Sequence, residues 1–299
     1  MFGGIEAGGT KFVCGIGTGP DDLRTAQFPT STPDLTVRSA LEFFRTAVPD
    51  KLEAVGIGSF GPVDLDPSSR SYGHITSTPK PGWSDFNLLG AVRDGLGVPA
   101  AFDTDVNAAL LAEQRWGAAR GLSDAVYITV GTGVGAGILA HGRLIHGLLH
   151  PEIGHLRLPH DFARDPFPGA CPYHGDCLEG LTCGPAMQAR WGIAAGALPP
   201  DHPGWELEAH YLALALVNLT VTLSTRRILL GGGVMQQSHL FELIRKEFAR
   251  LMNNYIRRKE VTEELDTYIQ PPGLGGRAGI LGAVVLAEQC IDHSRSARA

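Results

Sequence analysis

Several things are scarce in these 299 residues, and each scarcity removes a class of protein. No run of Lys or Arg stands out, and the net charge is −6 with a pI of about 6.0, which argues against nucleic acid as the main partner. No basic segment leads into an apolar h-region at the amino end, so no signal peptide is expected. No apolar run is long enough to span a bilayer. The longest, 211–223, is interrupted by Asn218 and carries Thr220 and Thr222. Cysteine is sparse as well. Five cysteines, an odd count, do not make a disulfide scaffold, and a reducing cytoplasm is the expected compartment.

What is present points to a soluble enzyme. At 43% hydrophobic residues the chain can bury a large core, and its length favours two domains over one. The densest chemistry lies in 155–179, HLRLPHDFARDPFPGACPYHGDCLE. There Cys171, His174 and Cys177 form C-x-x-H-x-x-C, and such thiolate and imidazole groups can point at one ion from a single tight loop. A structural tetrahedral zinc site needs a fourth ligand. His155 is preferred over His146, His150 and His160, because Gly154 and Glu152 beside it also read as site residues. The plainer alternatives are an ordinary loop and a Cys171–Cys177 disulfide. Three potential ligands within seven residues speak against the first, and the lack of any secretory mark against the second.

Two glycine-tipped hairpins come next. Residues 2–17 read as strand, turn, strand, with Gly8 and Gly9 at the tip and Glu6, Thr10 and Lys11 as its polar residues. Backbone N–H groups at such a tip suit a polyphosphate. The Gly4-x4-Gly9 spacing misses the P-loop pattern, since Thr-Lys follows where Lys-Ser/Thr is needed. Residues 126–140 repeat the design around Gly131, Thr132 and Gly133. A Rossmann reading fails there, because Ala136 breaks the glycine spacing and another hairpin follows where a helix should be. Two such hairpins about 120 residues apart suggest a duplicated architecture. Between them, helices over 34–47 and 87–96 alternate with strands over 54–59 and 98–102, which makes an α/β fold.

Asp105 lies just past the strand expected to end at Phe102 and just before a helix expected near Asn107. It is either a helix N-cap or a carboxylate placed to take a hydroxyl proton, and Asp103 competes for that role. Glu152 and Glu179 flank the metal loop, and two carboxylates can grip vicinal sugar hydroxyls; the alternative for each is a solvated surface charge. Gly231, Gly232 and Gly233 follow a strand over 227–230, either as a close approach for a ring or ribose or as a plain turn. The tail from His293 is expected to fray.

Together these stretches resemble the ROK sugar kinases (repressor, open reading frame, kinase), and most closely their bacterial fructokinase branch. The resemblance is carried by GIEAGGTKF, GSFGPVD, TPKPGW, FDTDVNAA, YITVGTGVGAG, HPEIGH, CPYHGDCLEG, GPA, LLGGGVM and AGILGA. It implies an actin-like, ribonuclease H-like α/β fold of two domains flanking a cleft. The expected division is 1–115, with a last helix at about 278–299 packing back on it, and 116–277 with the zinc loop. It implies ATP-dependent phosphorylation of a hexose, D-fructose at the 6-hydroxyl, with Mg2+, a structural Zn2+ and usually a cytoplasmic homodimer.

By the same resemblance Asp105 is the catalytic base, and Gly61, Glu152, His155 and Glu179 bind the sugar. His155, Cys171, His174 and Cys177 hold zinc. Gly8 to Lys11 and Gly131 to Gly133 are phosphate turns, and Gly231 to Gly233 is the adenosine turn. Many family members carry Asp where Glu6 stands and three cysteines where this loop has Cys, His, Cys; both departures resemble the fructokinase branch. A mannokinase or glucokinase of the same family is the alternative. So is a non-catalytic sugar-sensing regulator, although no room is expected for a helix-turn-helix domain before a hairpin that starts at residue 2.

Overall fold

The computed structural model describes residues 1–47 and 52–296. In chain order the elements are β1 (Phe2–Ala7), β2 (Lys11–Gly17), β3 (Arg24–Pro29), α1 (Pro33–Ala47), β4 (Ala54–Ser59), β5 (His74–Ile75), β6 (Phe86–Asn87), α2 (Leu88–Leu96), β7 (Ala100–Thr104) and α3 (Asp105–Trp116). They continue with β8 (Ala125–Val130), β9 (Val134–Ala140), β10 (Arg143–Leu144), α4 (Leu178–Thr182), α5 (Gly184–Trp191), α6 (Gly204–Leu223), β11 (Ile228–Gly231), α7 (His239–Met252), α8 (Lys259–Thr262), α9 (Leu265–Tyr268), β12 (Ile269–Gln270) and α10 (Ala278–Ser296).

Two five-stranded sheets carry these elements, ordered β3-β2-β1-β4-β7 and β10-β9-β8-β11-β12. Each starts from an antiparallel hairpin, β1/β2 or β8/β9, and adds two strands in parallel beyond its first strand. The repeat suggested by the two hairpins is therefore a repeat of whole-sheet topology. By its contacts the chain divides into two compact units. The first comprises 1–121, 144–150 and 273 onward; the second comprises 122–143 and 151–272.

In the first unit β4 is buried at every position, which explains why AVGIGS reads as a continuous apolar run with no alternation. α10 covers β1 and β4 and packs along α3. Its approach is close enough that a Cβ on Gly56 would lie 1.9 Å from the Ala283 carbonyl oxygen. Trp83, fully buried, meets Phe12, Phe60 and Phe86 with ring centroids 5.4–5.6 Å apart, and its Nε1 donates to the Ser31 carbonyl at 2.8 Å. That cluster fixes the Pro-rich loop before α2. The buried Glu113 carboxylate accepts N–H bonds from Ala118, Gly273 and Leu274 at 2.7–2.9 Å. One side chain thus ties the stretch after α3 to the stretch that leads into α10.

In the second unit α6 is buried on almost all sides, and α7 lays Leu240, Phe241, Ile244, Phe248 and Met252 into the core.

Several boundaries move from expectation. The strand expected over 98–102 runs over 100–104, and its helix starts at Asp105, ahead of Asn107. α7, whose apolar residues at three- and four-residue steps predict a helix over 239–255, stops at Asn253 in the left-handed region. The last helix runs over Ala278–Ser296, into the tail expected to fray from His293; 297–299 lie outside the described residues. Three short or polar strands, β3, β10 and β12, give no apolar run; only the hairpin holding β10 was expected.

Candidate active site and metal centre

The metal loop is built as a knuckle. Cys171 and Gly175 exchange backbone hydrogen bonds at 3.2 and 2.9 Å, which turns the chain so that Cys171, His174 and Cys177 face one point. His155 arrives from the short 3-10 turn Ile153–His155. One ligand atom from each of the four residues falls within 4.8 Å of the others. The Cys171 Sγ to His155 Nδ1 and His174 Nδ1 distances are 3.8 and 3.7 Å, the two Nδ1 atoms are 3.3 Å apart, and Cys177 Sγ is 3.6 Å from His155 Nδ1. A tetrahedron with ordinary zinc bond lengths has edges of about 3.6 Å between sulfur and nitrogen and about 3.3 Å between nitrogens. The donor set therefore fits zinc in both chemistry and dimensions. Cys171 and Cys177 are free thiols, which removes the disulfide alternative. His146, His150 and His160 have other partners and stand outside the cluster.

Side chains around the knuckle brace it. Arg157 donates from Nη1 to the His174 carbonyl at 2.5 Å and pairs through Nη2 with Asp176 at 2.7 Å. His160 Nδ1 lies 3.1 Å from the other Asp176 oxygen, and its Nε2 lies 2.9 Å from the Asp165 carbonyl. Asp165 in turn accepts the Tyr211 hydroxyl at 2.8 Å and pairs with Arg190 at 3.1 Å. Such outer partners orient metal ligands.

The same turn sets the two acidic residues. Gly154 packs so tightly that a Cβ there would lie 2.0 Å from the Val134 carbonyl oxygen, at the start of β9. Glu179, in the first turn of α4, accepts the Val134 N–H through Oε2 at 2.9 Å, and that oxygen would sit 2.7 Å from a Cβ on Gly133. The metal loop and the Gly131–Gly133 turn are thus one construction. Burial pushes the Glu152 carboxyl up to about 7, and the neighbouring Glu179 charge pushes the same way. These two glutamates belong to one electrostatic site and are not separate surface charges.

The glycine turns of this unit also converge. Gly131 N–H donates to the Gly133 carbonyl at 2.8 Å, and the Gly184 N–H at the start of α5 donates to the Gly131 carbonyl at 2.7 Å. A Cβ on Gly131 would lie 3.8 Å from the Gly233 nitrogen. Gly232 has φ +95° and a Cβ there would meet Val130 backbone at 2.3 Å, so the middle position of the triglycine must be glycine to pass the end of β8. Three backbone segments, from 131, 184 and 233, therefore meet. Gly184 was not singled out as a site residue from the sequence, although Gly-Pro-Ala opening a helix was a usable signal.

In the first unit the Gly8–Lys11 tip closes with the Gly8 N–H on the Lys11 carbonyl at 3.0 Å. Glu6 is not a tip residue. It lies in β1 against the start of α10, where its carboxyl would be 2.5 Å from a Cβ on Gly279, and burial raises its proton affinity against the pull of Lys11.

The strand-to-helix junction separates the two candidate bases. Asp103 ends in the sheet and is buried; Oδ1 accepts the Thr104 N–H at 2.7 Å and the Asn107 Nδ2 at 2.6 Å, while Oδ2 pairs with His146 Nε2 at 3.0 Å. Thr104 is the helix cap, its side chain accepting the Asn107 N–H at 3.1 Å. The capping role considered for Asp105 is therefore filled by its neighbour. Asp105 is half-buried at the first helical position, with Oδ1 on the Val106 N–H at 2.8 Å. Gly61 follows β4 in the turn Phe60–Val63.

A model of the ROK family matches residues 2–290. A fructokinase from Pediococcus pentosaceus is 42% identical over 98% of this chain and 100% of its own. Among solved structures, a ROK hexokinase from Thermus thermophilus superposes with TM-score 0.79 at 26% identity, covering 98% of this chain and 99% of the other. A ROK family glucokinase from Streptomyces griseus in complex with glucose and AMPPNP superposes with TM-score 0.77 at 26% identity, covering 96% and 99%. The chain belongs to the ROK family, and its fold is that of the actin-like ROK sugar kinases.

Proposed function

We infer that this chain is an ATP-dependent fructokinase, transferring the γ-phosphoryl group of ATP to the 6-hydroxyl of D-fructose. The observation that carries the sugar assignment is 42% identity over nearly all of both chains with a fructokinase, against 31–32% with glucokinase relatives.

In this reading Asp105 takes the proton from the attacking hydroxyl. What supports it over Asp103 is that both Asp103 oxygens are already engaged by Thr104, Asn107 and His146. Glu152, Glu179 and the Nε2 edge of His155 grip sugar hydroxyls, with the Gly61 backbone contributing. The glycine tips at 8–11 and 131–133 take the nucleotide's phosphates on backbone N–H groups, and 231–233 takes its adenosine. Mg2+ enters with the nucleotide as its counter-ion. Positioning and charge neutralisation supply most of the acceleration in phosphoryl transfer. Zinc, held by His155, Cys171, His174 and Cys177, would supply rigidity and no chemistry, since four protein ligands close its shell. A cytoplasmic homodimer completes the reading; light scattering on the purified protein reads its mass.

A coupled ADP-release assay with fructose, mannose, glucose and N-acetylmannosamine tests it. The expected result is the highest kcat/KM for fructose, with fructose 6-phosphate as product. A higher value for mannose or glucose overturns the sugar assignment. Silence with every sugar favours a sugar-sensing regulator.

A further inference from the structure

The turn that follows β4 is held at three of its four residues. Phe60 donates its N–H to the Ala7 carbonyl at 2.8 Å. The Pro62 carbonyl accepts the Thr76 N–H at 2.8 Å and the Thr76 hydroxyl at 3.0 Å. The Val63 N–H is held by a side chain: it donates to His150 Nε2 at 3.2 Å. His150 is itself buried, with 7% of its surface exposed. Gly61, the fourth residue, makes no backbone hydrogen bond within the chain among the described residues. Its α-carbon rests on the His150 ring, since a Cβ there would lie 3.3 Å from Cε1 and 3.4 Å from Nε2.

His150 is not in the four-ligand cluster and plays no part in the chemistry described above. A ring nitrogen that accepts an amide N–H carries no proton, so the ring is neutral with its hydrogen on Nδ1. The ring that packs beside Gly61 is also the one that fixes Val63, through Nε2. The imidazole therefore sets where the Gly61 peptide points.

We propose that His150 is a positioning residue for sugar recognition: it orients the Gly61 peptide toward a hexose hydroxyl through its bond to Val63. The inference rests on the fructokinase reading and deepens it. It assigns part of the sugar selectivity to a histidine that precedes Pro151 and the Glu152–His155 turn.

The test compares three substitutions. The Gln side-chain oxygen reaches the place of Nε2, whereas Asn reaches only the place of Nδ1. His150→Asn and His150→Ala are expected to raise the fructose KM by about tenfold or more, with the ATP KM within about twofold of wild type. His150→Gln is expected to restore the fructose KM to within about threefold. Three results overturn the proposal: an unchanged fructose KM in His150→Asn, a His150→Gln enzyme as impaired as His150→Asn, or an ATP KM that rises in parallel. If His150→Ala does not fold, shown by its melting curve, the Gln and Asn pair decides. Should wild-type enzyme prefer another hexose, the fructokinase reading fails on its own assay, and the same series is read with that hexose.

Discussion

At the scale of single residues, the two aspartates beside each other in sequence have separate fates. Their identity as candidates was legible from the D-T-D-x-N pattern, but the choice between them was not. It depended on a strand that runs two residues further than its apolar run, and on Thr104 taking the cap. Asp105→Asn is expected to cut kcat by about 10²-fold or more with little change in fructose KM. Steady-state kinetics on the folded variant check this, and a near-wild-type kcat removes Asp105 from the role. Asp103→Asn should act differently. The Asp103 hydrogen bond and charge raise the His146 proton affinity, so removing the charge should lower the His146 titration midpoint, which NMR can follow. A third residue offers a pH test away from the site. Arg250 and His210 bring Glu247 down to about 2 from an ordinary 4.5, although burial opposes them. Its contribution to stability is therefore complete above pH 4.5 and is lost as pH falls through about 2. Melting temperatures of wild type and Glu247→Gln should differ at pH 7 and converge across that window. A gap of constant size would show that the Arg250 and His210 contacts do not set the difference.

At the scale of elements, the knuckle was the most legible part of the molecule. Three ligands in seven residues need only a tight turn, so local sequence suffices. The contact between its flank and the Gly131–Gly133 turn was not legible, because Glu179 meets Val134 across 45 residues of sequence. The edge strands escaped for another reason: β3 is mostly exposed, and polar residues at an edge carry no apolar signature. The purified protein should contain one zinc per chain by metal analysis. Removing it with a strong chelator should lower the melting temperature by several degrees or more, since structural zinc contributes folding free energy. A protein that melts identically with and without chelator would refute the structural role. Gly154→Ala tests the seam between knuckle and strand. The added methyl would overlap the Val134 carbonyl, so the variant should lose on the order of 1–3 kcal/mol, read by denaturant unfolding.

At the scale of the whole molecule, the repeat of sheet topology was foreshadowed by two glycine-tipped hairpins, and a last helix packing back on the first unit was expected from the family resemblance, but the assignment of 144–150 to that unit was not. Periodicity reports which face of an element is apolar. It is silent on which of two sheets that face will cover. Ligand linkage gives the matching prediction. A non-hydrolysable ATP analogue at 100 times its Kd should stabilise the native protein by about 2.7 kcal/mol, visible as an upward shift of melting temperature. No shift at saturating nucleotide would count against the kinase reading.

The placement of α10 makes translation a question of timing. The helix that covers β1 and β4 is polymerised only after every strand of the second sheet has been made. Until then the face that α10 covers stays bare, marked by Gly4 and Gly56 in the sheet and by Ala108 and Leu111 on α3, while every segment of the second unit has already been made. Maturation would thus run against the usual order in which amino-terminal parts settle first. A chain ending at Pro272 and followed by a linker long enough to clear the ribosomal tunnel should be nicked by protease within 1–121 and spared across 151–272.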